Sequence, residues 1–285
     1  MALSFDDIVK KLSDFEVESP RLEARMMIAA AKNIDCDEVS ALCEISFNEA
    51  EKIQKMIEQR SAHCPLDKIL GHREFYKYDF LCNTDVLSPR PDTEVLVEQA
   101  AKLIFKHEMK NILELGVGSG CILLSLLADF PYLSGVGIDI SQKALDMAQK
   151  NAQRLGVEKR VQLFRADWNE QAFAAKFNNR KFEIIVSNPP YIPSSEILKL
   201  SPEVKNFDPL LALDGGESGF NAYERIAELA PTLLNNDGYL LFEAGINQAE
   251  KIALICEKNG LKIIDIVKDL SGIERCVIVQ KTLAK

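Results

Sequence analysis

The sequence predicts an α/β protein: a mainly parallel sheet with an antiparallel carboxy-terminal edge, behind a small amino-terminal helical domain. Three observations predict it. Short β-prone apolar runs alternate with helical ones from residue 111 onward, the first 70 or so residues hold helix formers and little that reads as strand, and the last two apolar runs have no long helix between them. Alternation of this kind calls for parallel strands covered on both faces. Two consecutive strands without a crossover helix call for an antiparallel pair.

Residues 1–72 are expected to form the helical bundle. Ser4 precedes an apolar-periodic stretch (Phe5, Ile8, Val9, Leu12), and Pro20 opens RLEARMMIAAAKN, rich in strong helix formers. Ser46 with Glu49 three residues later is a capping-box pattern ahead of Phe47, Ala50, Ile53, Met56 and Ile57. Residues 73–92 change texture to EFYKYDF and TDVLSPRP, which reads as a β-hairpin-like connector with a helix beginning near Asp92. Residues 93–285 carry the alternation. NILELG, LSGVGIDI, VQLFRAD, FEIIVSNPPY, GYLLFEAG, LKIIDIV and ERCVIVQ read as strands, and CILLSLLAD, SQKALDMAQKNAQRLG, YERIAELAPTLL and QAEKIALICEKNG as helices.

Composition narrows the function. The 285 residues are 47% hydrophobic and 27% charged, enough for a sizeable core. A formal charge of −9 argues against a protein whose main task is gripping nucleic-acid backbone. The first residues, MALSFDDIVKKL, place two aspartates where a signal peptide would want an apolar stretch, and no run reaches the roughly 18 apolar residues of a membrane span. Seven scattered cysteines without a CxxC pair read as free thiols of a reducing cytoplasm. With three histidines and no metal-ligand spacing, zinc hydrolysis and histidine-based triads are poor expectations, and no metal is expected.

The chemistry-bearing signals fall at strand ends. Glu114, Gly116, Val117, Gly118, Ser119 and Gly120 form a glycine loop between a strand and a helix. The spacing GxGxG is one residue tighter than the dinucleotide fingerprint, and Asp139 ends the next strand where a carboxylate accepts both ribose hydroxyls. The loop alone also reads as an ordinary tight turn; with Asp139 a nucleoside ligand is the better reading, and the spacing fits S-adenosylmethionine. Asp167 and Trp168 end the third strand, where a carboxylate accepts from an adenine amino group and an indole covers the ring, although a lone Trp is equally a core residue.

Asn188, Pro189, Pro190 and Tyr191 form the sharpest signal. As a bare tetrapeptide it is also a stiff strand-terminating turn. Chemically, a conjugated planar amino group is a poor nucleophile. Hydrogen-bond acceptors at the Asn188 carboxamide oxygen and the Pro189 carbonyl would orient it and favour its pyramidal form, with Pro190 rigidifying the turn and Tyr191 packing on the flat group. No general base is needed before attack, because the proton leaves once the nitrogen is cationic.

In these motifs the chain resembles the class I S-adenosylmethionine-dependent methyltransferases with an NPPY motif, and more narrowly the release factor glutamine methyltransferases (the PrmC/HemK family). ESPRLEARMMIA, PLDKILGHREFY, LSPRPDTEVLVE, ELGVGSGCI, GIDIS, SNPPYIP, DPLLALDGGESGFNAY, LLFEAG and GIERCVIV follow the family pattern in order. Lys68 departs from it, standing where an aromatic residue is expected. The resemblance implies a Rossmann-like sheet and methyl transfer from S-adenosylmethionine to the glutamine amide in the GGQ tip of class I peptide chain release factors, in the cytoplasm. It places Gly116, Gly118, Gly120 and Asp139 at the cofactor, Trp168 by its adenine, Asn188 to Tyr191 at the glutamine, and the helical domain on the release factor. No membrane and no direct nucleic-acid binding are expected. Rival readings are glutamine methylation of a ribosomal protein, adenine methylation of DNA or RNA, and a non-catalytic cofactor-binding protein.

Overall fold

A computed structural model describes residues 3–15 and 17–282. The chain divides into two compact units. The first comprises residues up to 72 together with 201–207. It holds α1 (Phe5–Ser13), α2 (Pro20–Lys32), α3 (Phe47–Ser61), the short α4 (Leu66–Leu70) and, from the later segment, α8 (Pro202–Phe207). Sequence dictates the helix starts. Ser4 and Ser46 each accept from the N3 amide while Asp7 and Glu49 reach back to the cap amide, and Pro20 occupies the first turn of α2, where its missing N–H costs nothing. Phe5, Ile8 and Leu12 pack on Ala24, Met27, Ile28, Ile53 and Ile57 as one apolar core. Arg60 is buried, and its guanidinium is paired by Glu23 at 2.8 Å and Glu203 at 2.6 Å.

The hairpin β1 (His72–Phe75) and β2 (Tyr78–Leu81) leads into the second unit, followed by a 3-10 turn at Pro91–Thr93 and α5 (Glu94–His107). The expected alternation follows: β3 (Asn111–Leu115), α6 (Cys121–Asp129), β4 (Ser134–Asp139), α7 (Gln142–Arg154), β5 (Val161–Arg165), β6 (Phe182–Ser187), α9 (Asn221–Leu233), β7 (Leu234–Glu243), α10 (Ala249–Lys258), β8 (Leu261–Lys268) and β9 (Glu274–Lys281). The strands form one sheet in the order β5-β4-β3-β6-β7-β9-β8. Pairings from β5 to β7 are parallel, and β9 enters antiparallel between β7 and β8. The antiparallel edge expected from the last two runs is therefore present. Apolar cores cover both faces of the sheet, one beneath α9 and α10, the other beneath α5, α6 and α7.

One difference from the sequence reading has a plain cause. FEIIVSNPPY is strand only to Ser187, because Pro189 and Pro190 lack the N–H that would continue the ladder. The helix expected over YERIAELAPTLL is present as α9; it runs through Pro231, which sits in its last turn, and Lys281 donates to the Pro231 and Leu234 carbonyls left open there.

The topology positions the site. Successive strands run from β3 outward to β5, then the chain crosses to the other side of β3 as β6. Ligands in open α/β sheets bind at such a reversal, beyond the carboxyl ends of the strands. Ser187 Oγ donates to the Leu115 carbonyl at 2.7 Å, tying the ends of β6 and β3 together at this point. On the other flank, buried Asn151 of α7 joins three segments: its Oδ1 accepts from Leu81 N–H at 2.8 Å, and its Nδ2 donates to the Leu81 and Ser119 carbonyls. Asn151→Ala would leave those groups without partners. The expected cost is about 1–3 kcal/mol, read as a lower urea midpoint with unchanged slope.

Candidate active site

A cavity of about 510 Å³ opens at the carboxyl ends of β3, β4, β5 and β6. Glu114, Gly116, Val117, Gly118, Ser119, Asp139, Asp167, Trp168, Asn188 and Pro190 all line it. Four signals scattered over about 75 residues of sequence thus meet at one crevice. Gly120, Pro189 and Tyr191 stand outside the lining.

Each has a local reason for its place. Gly120 caps α6 with φ +83°, and a Cβ there would lie 2.6 Å from the Leu124 side chain and 3.3 Å from Ala148. Its bareness serves helix packing and a left-handed turn, whereas Gly116 and Gly118 face the cavity. Pro189 is buried in the turn after β6. Tyr191 packs against the core around α9 and α10, and burial pushes its hydroxyl up to about 12.

The carboxylates differ by environment. Glu114, 1% exposed, accepts from Leu123 N–H at 3.0 Å; burial raises its pKa well above the usual range against that one bond. Asp139 accepts from Gly118 N–H and from Ser141 N–H, each at 2.9 Å and each through a different oxygen. A carboxylate oxygen can accept two bonds, so Asp139 keeps acceptor capacity for a vicinal diol. Burial raises the Asp139 pKa, and the amides of Ser141 and Gly118 oppose it. The Trp168 indole lies over Gly116, where a Cβ would sit 3.5 Å from the ring, and Arg225 holds the Trp168 carbonyl at 2.8 Å. A glycine wall, a diol-accepting carboxylate and an aromatic face suit an adenine nucleoside, and S-adenosylmethionine fits that donor set.

Asn188 Nδ2 donates to Thr93 Oγ1 at 3.4 Å. The turn that carries Asn188 is clamped from outside by 213–219. Ile192 N–H donates to the Leu213 carbonyl, and Gly215 N–H donates back to Ile192. A Cβ at Gly215 would come within 2.8 Å of the Pro190 oxygen and of the Tyr191 Cα. One at Gly219 would meet the Tyr191 carbonyl at 2.6 Å. Only glycine lets the two backbones approach this closely.

The structure adds residues to which sequence reasoning assigned no role. Ser88, Arg90, Thr93, Leu210, Leu211 and Asp214 to Gly216 line the cavity. Arg90 is the one cation among the described lining residues, and it pairs with Asp208 at 2.7 Å. The PRPDTE and DPLLALDGGESGF segments were visible as motifs, but no spacing rule brings Thr93 to Asn188 across 95 residues. Among the described residues no cluster of metal-ligating side chains exists, and no helix is long and apolar enough to cross a membrane.

Behind the Asn188 turn lies Glu243, 2% exposed at the end of β7, with Oε2 unpartnered. Burial pushes its pKa up to about 7 from 4.5; Thr93, Arg275 and Asn188 act in the opposite direction, and Asp92 adds to the rise. The folded state therefore keeps a proton that the unfolded chain has lost, so this group removes stability as pH rises through that window. Relative to Glu243→Gln, the wild type should lose about 3 kcal/mol between pH 4.5 and 7, measured by urea unfolding of both proteins across that range.

Known proteins resemble this chain along nearly its whole length. The profile of the PrmC N-terminal domain matches residues 5–71, and that of the methyltransferase small domain matches residues 90–200. The release factor glutamine methyltransferase of Rhodospirillum rubrum is 42% identical over 270 residues, covering 94% of this chain and 81% of that one. The enzyme of the same name from Agrobacterium fabrum is 37% identical over 278 residues, covering 95% and 94%. Among solved structures, the hMettl16 catalytic domain superposes with a TM-score of 0.58 at 12% identity, over 85% of this chain and 87% of that one, a likeness of fold. On the strength of relatives that share more than a third of its residues along nearly its whole length, the chain belongs to the release factor glutamine methyltransferase family.

Proposed function

We propose that this protein transfers a methyl group from S-adenosylmethionine to the side-chain amide nitrogen of the glutamine in the GGQ motif of class I peptide chain release factors. The observation that carries the reading is the position of Asn188. It lines the cavity that Asp139 and Trp168 also line, with its Nδ2 directed to Thr93 and its Oδ1 left as an acceptor. Relatives named for this activity cover nearly the whole chain.

The residues divide the work. Asp139 would hold the ribose hydroxyls, Trp168 and Asp167 the adenine, and Gly116 and Gly118 would let the backbone approach. When bound, S-adenosylmethionine supplies an electrophilic methyl carbon on a sulfonium sulfur, which departs as a neutral thioether. Asn188 Oδ1 and the Pro189 carbonyl would accept hydrogen bonds from the substrate carboxamide. They orient its nitrogen and stabilise the positive charge that grows there as the lone pair leaves conjugation. The clamped turn holds these acceptors in place before substrate arrives, so little reorganisation is needed during reaction. The nitrogen sheds its proton after attack, when it is cationic and acidic.

Mass spectrometry of purified release factor after incubation with cofactor should find one added methyl on the GGQ glutamine. A parallel incubation with duplex DNA should yield none, and label in DNA alone would overturn the assignment. Asn188→Ala should lower the rate by about 10²–10³ while cofactor affinity stays within a few fold; a wild-type rate would remove Asn188 from its role.

A further inference from the structure

Three polar side chains from distant segments meet at the cavity wall, which Asn188 and Thr93 line. Asn188 follows β6, Thr93 closes the 3-10 turn before α5, and Glu243 ends β7. Thr93 and Glu243 are each 2% exposed. Asn188 Nδ2 donates to Thr93 Oγ1 at 3.4 Å, and Thr93 and Asn188 are among the groups that favour the charged form of the Glu243 carboxyl.

A carboxamide has two nearly isosteric ends, and which end faces the substrate decides whether it accepts or donates. Facing a carboxyl group and a hydroxyl oxygen, the amide turns its N–H₂ inward, since the reverse orientation sets Oδ1 against the oxygens of Glu243. The Thr93 hydroxyl accepts from Asn188 and has one proton of its own to give. The Glu243 carboxyl, whose charged form Thr93 favours, is the acceptor for it.

We propose that Thr93 and Glu243 are positioning residues that lock the Asn188 carboxamide in the orientation presenting Oδ1 to the methyl acceptor. This rests on the glutamine-methylating reading of the same site. It also gives a reason for keeping a buried carboxyl group with one unpartnered oxygen: a hydrocarbon there would pack as well, but it would leave the amide free to turn over.

The test compares wild type with Thr93→Val, Thr93→Ser and Glu243→Gln. For each, kcat and KM for release factor, the Kd of S-adenosylmethionine and the thermal midpoint are measured. A wild type that leaves the GGQ glutamine unmethylated would refute the proposed function itself. With an active wild type, the lock predicts that Thr93→Val loses about tenfold or more in kcat, with KM and cofactor Kd within a few fold, and that Thr93→Ser recovers most of the loss by restoring the hydroxyl. Undiminished kcat in Thr93→Val, or an equal loss in Thr93→Val and Thr93→Ser at wild-type thermal midpoints, overturns the lock. Should Thr93→Val fail to fold, Glu243→Gln carries the decision. Its carboxamide replaces one of the two acceptor oxygens by a donor, so reduced kcat at unchanged KM upholds the proposal and wild-type kcat ends it.

Discussion

The close approach of two backbones at the turn after β6 is the constraint on which the site depends. Residues 189–192 are held against 213–219 at distances that leave no room for a Cβ at Gly215 or Gly219. Reciprocal hydrogen bonds between Ile192 and the segment around Leu213 and Gly215 fix the register of that contact. A proline pair alone would stiffen the turn without saying where it points. The neighbouring segment supplies the direction, and Ser187 joins the root of the turn to the end of β3.

Rigidity of this kind matters because the proposed chemistry asks for acceptors placed beforehand and for nothing more reactive. Among the described residues the cavity wall holds no histidine and no cluster of metal ligands. What the fold invests in is the burial of polar groups: Glu114 on a single amide, Asp139 on two, Glu243 behind the turn. Each opposes stability to some degree, and each stands next to the backbone or side chain that forms the wall. Preorganisation is obtained at the expense of folding free energy, as is usual where polar groups must be fixed in a dry site.

Much of this was legible in the residues because it is local. Helix starts at Ser4, Pro20 and Ser46 follow from side chains within three residues of the cap, and the strand alternation follows from apolar runs. Convergence of the glycine loop, Asp139, Trp168 and Asn188 followed from one topological rule about strand ends. What was not legible is long-range. Gly120 looked like its neighbours Gly116 and Gly118, yet it packs against α6 and α7, a fact that only the positions of Leu124 and Ala148 reveal. Thr93 and Glu243 carried no signal of their own, since a threonine at a helix start and a glutamate at a strand end are commonplace until a third residue is placed between them.

The lining of the crevice has one more consequence. Asp139, Asp167 and Asp214 face it, while Arg90, the one guanidinium among its described lining residues, is engaged by Asp208. Such walls favour an occupant that carries positive charge and lose part of their hold once that charge is gone. A donor that arrives as a cation and is spent as a neutral molecule would be gripped more firmly on the way in than on the way out. Turnover then draws on the same acidity that gives the whole chain its negative balance.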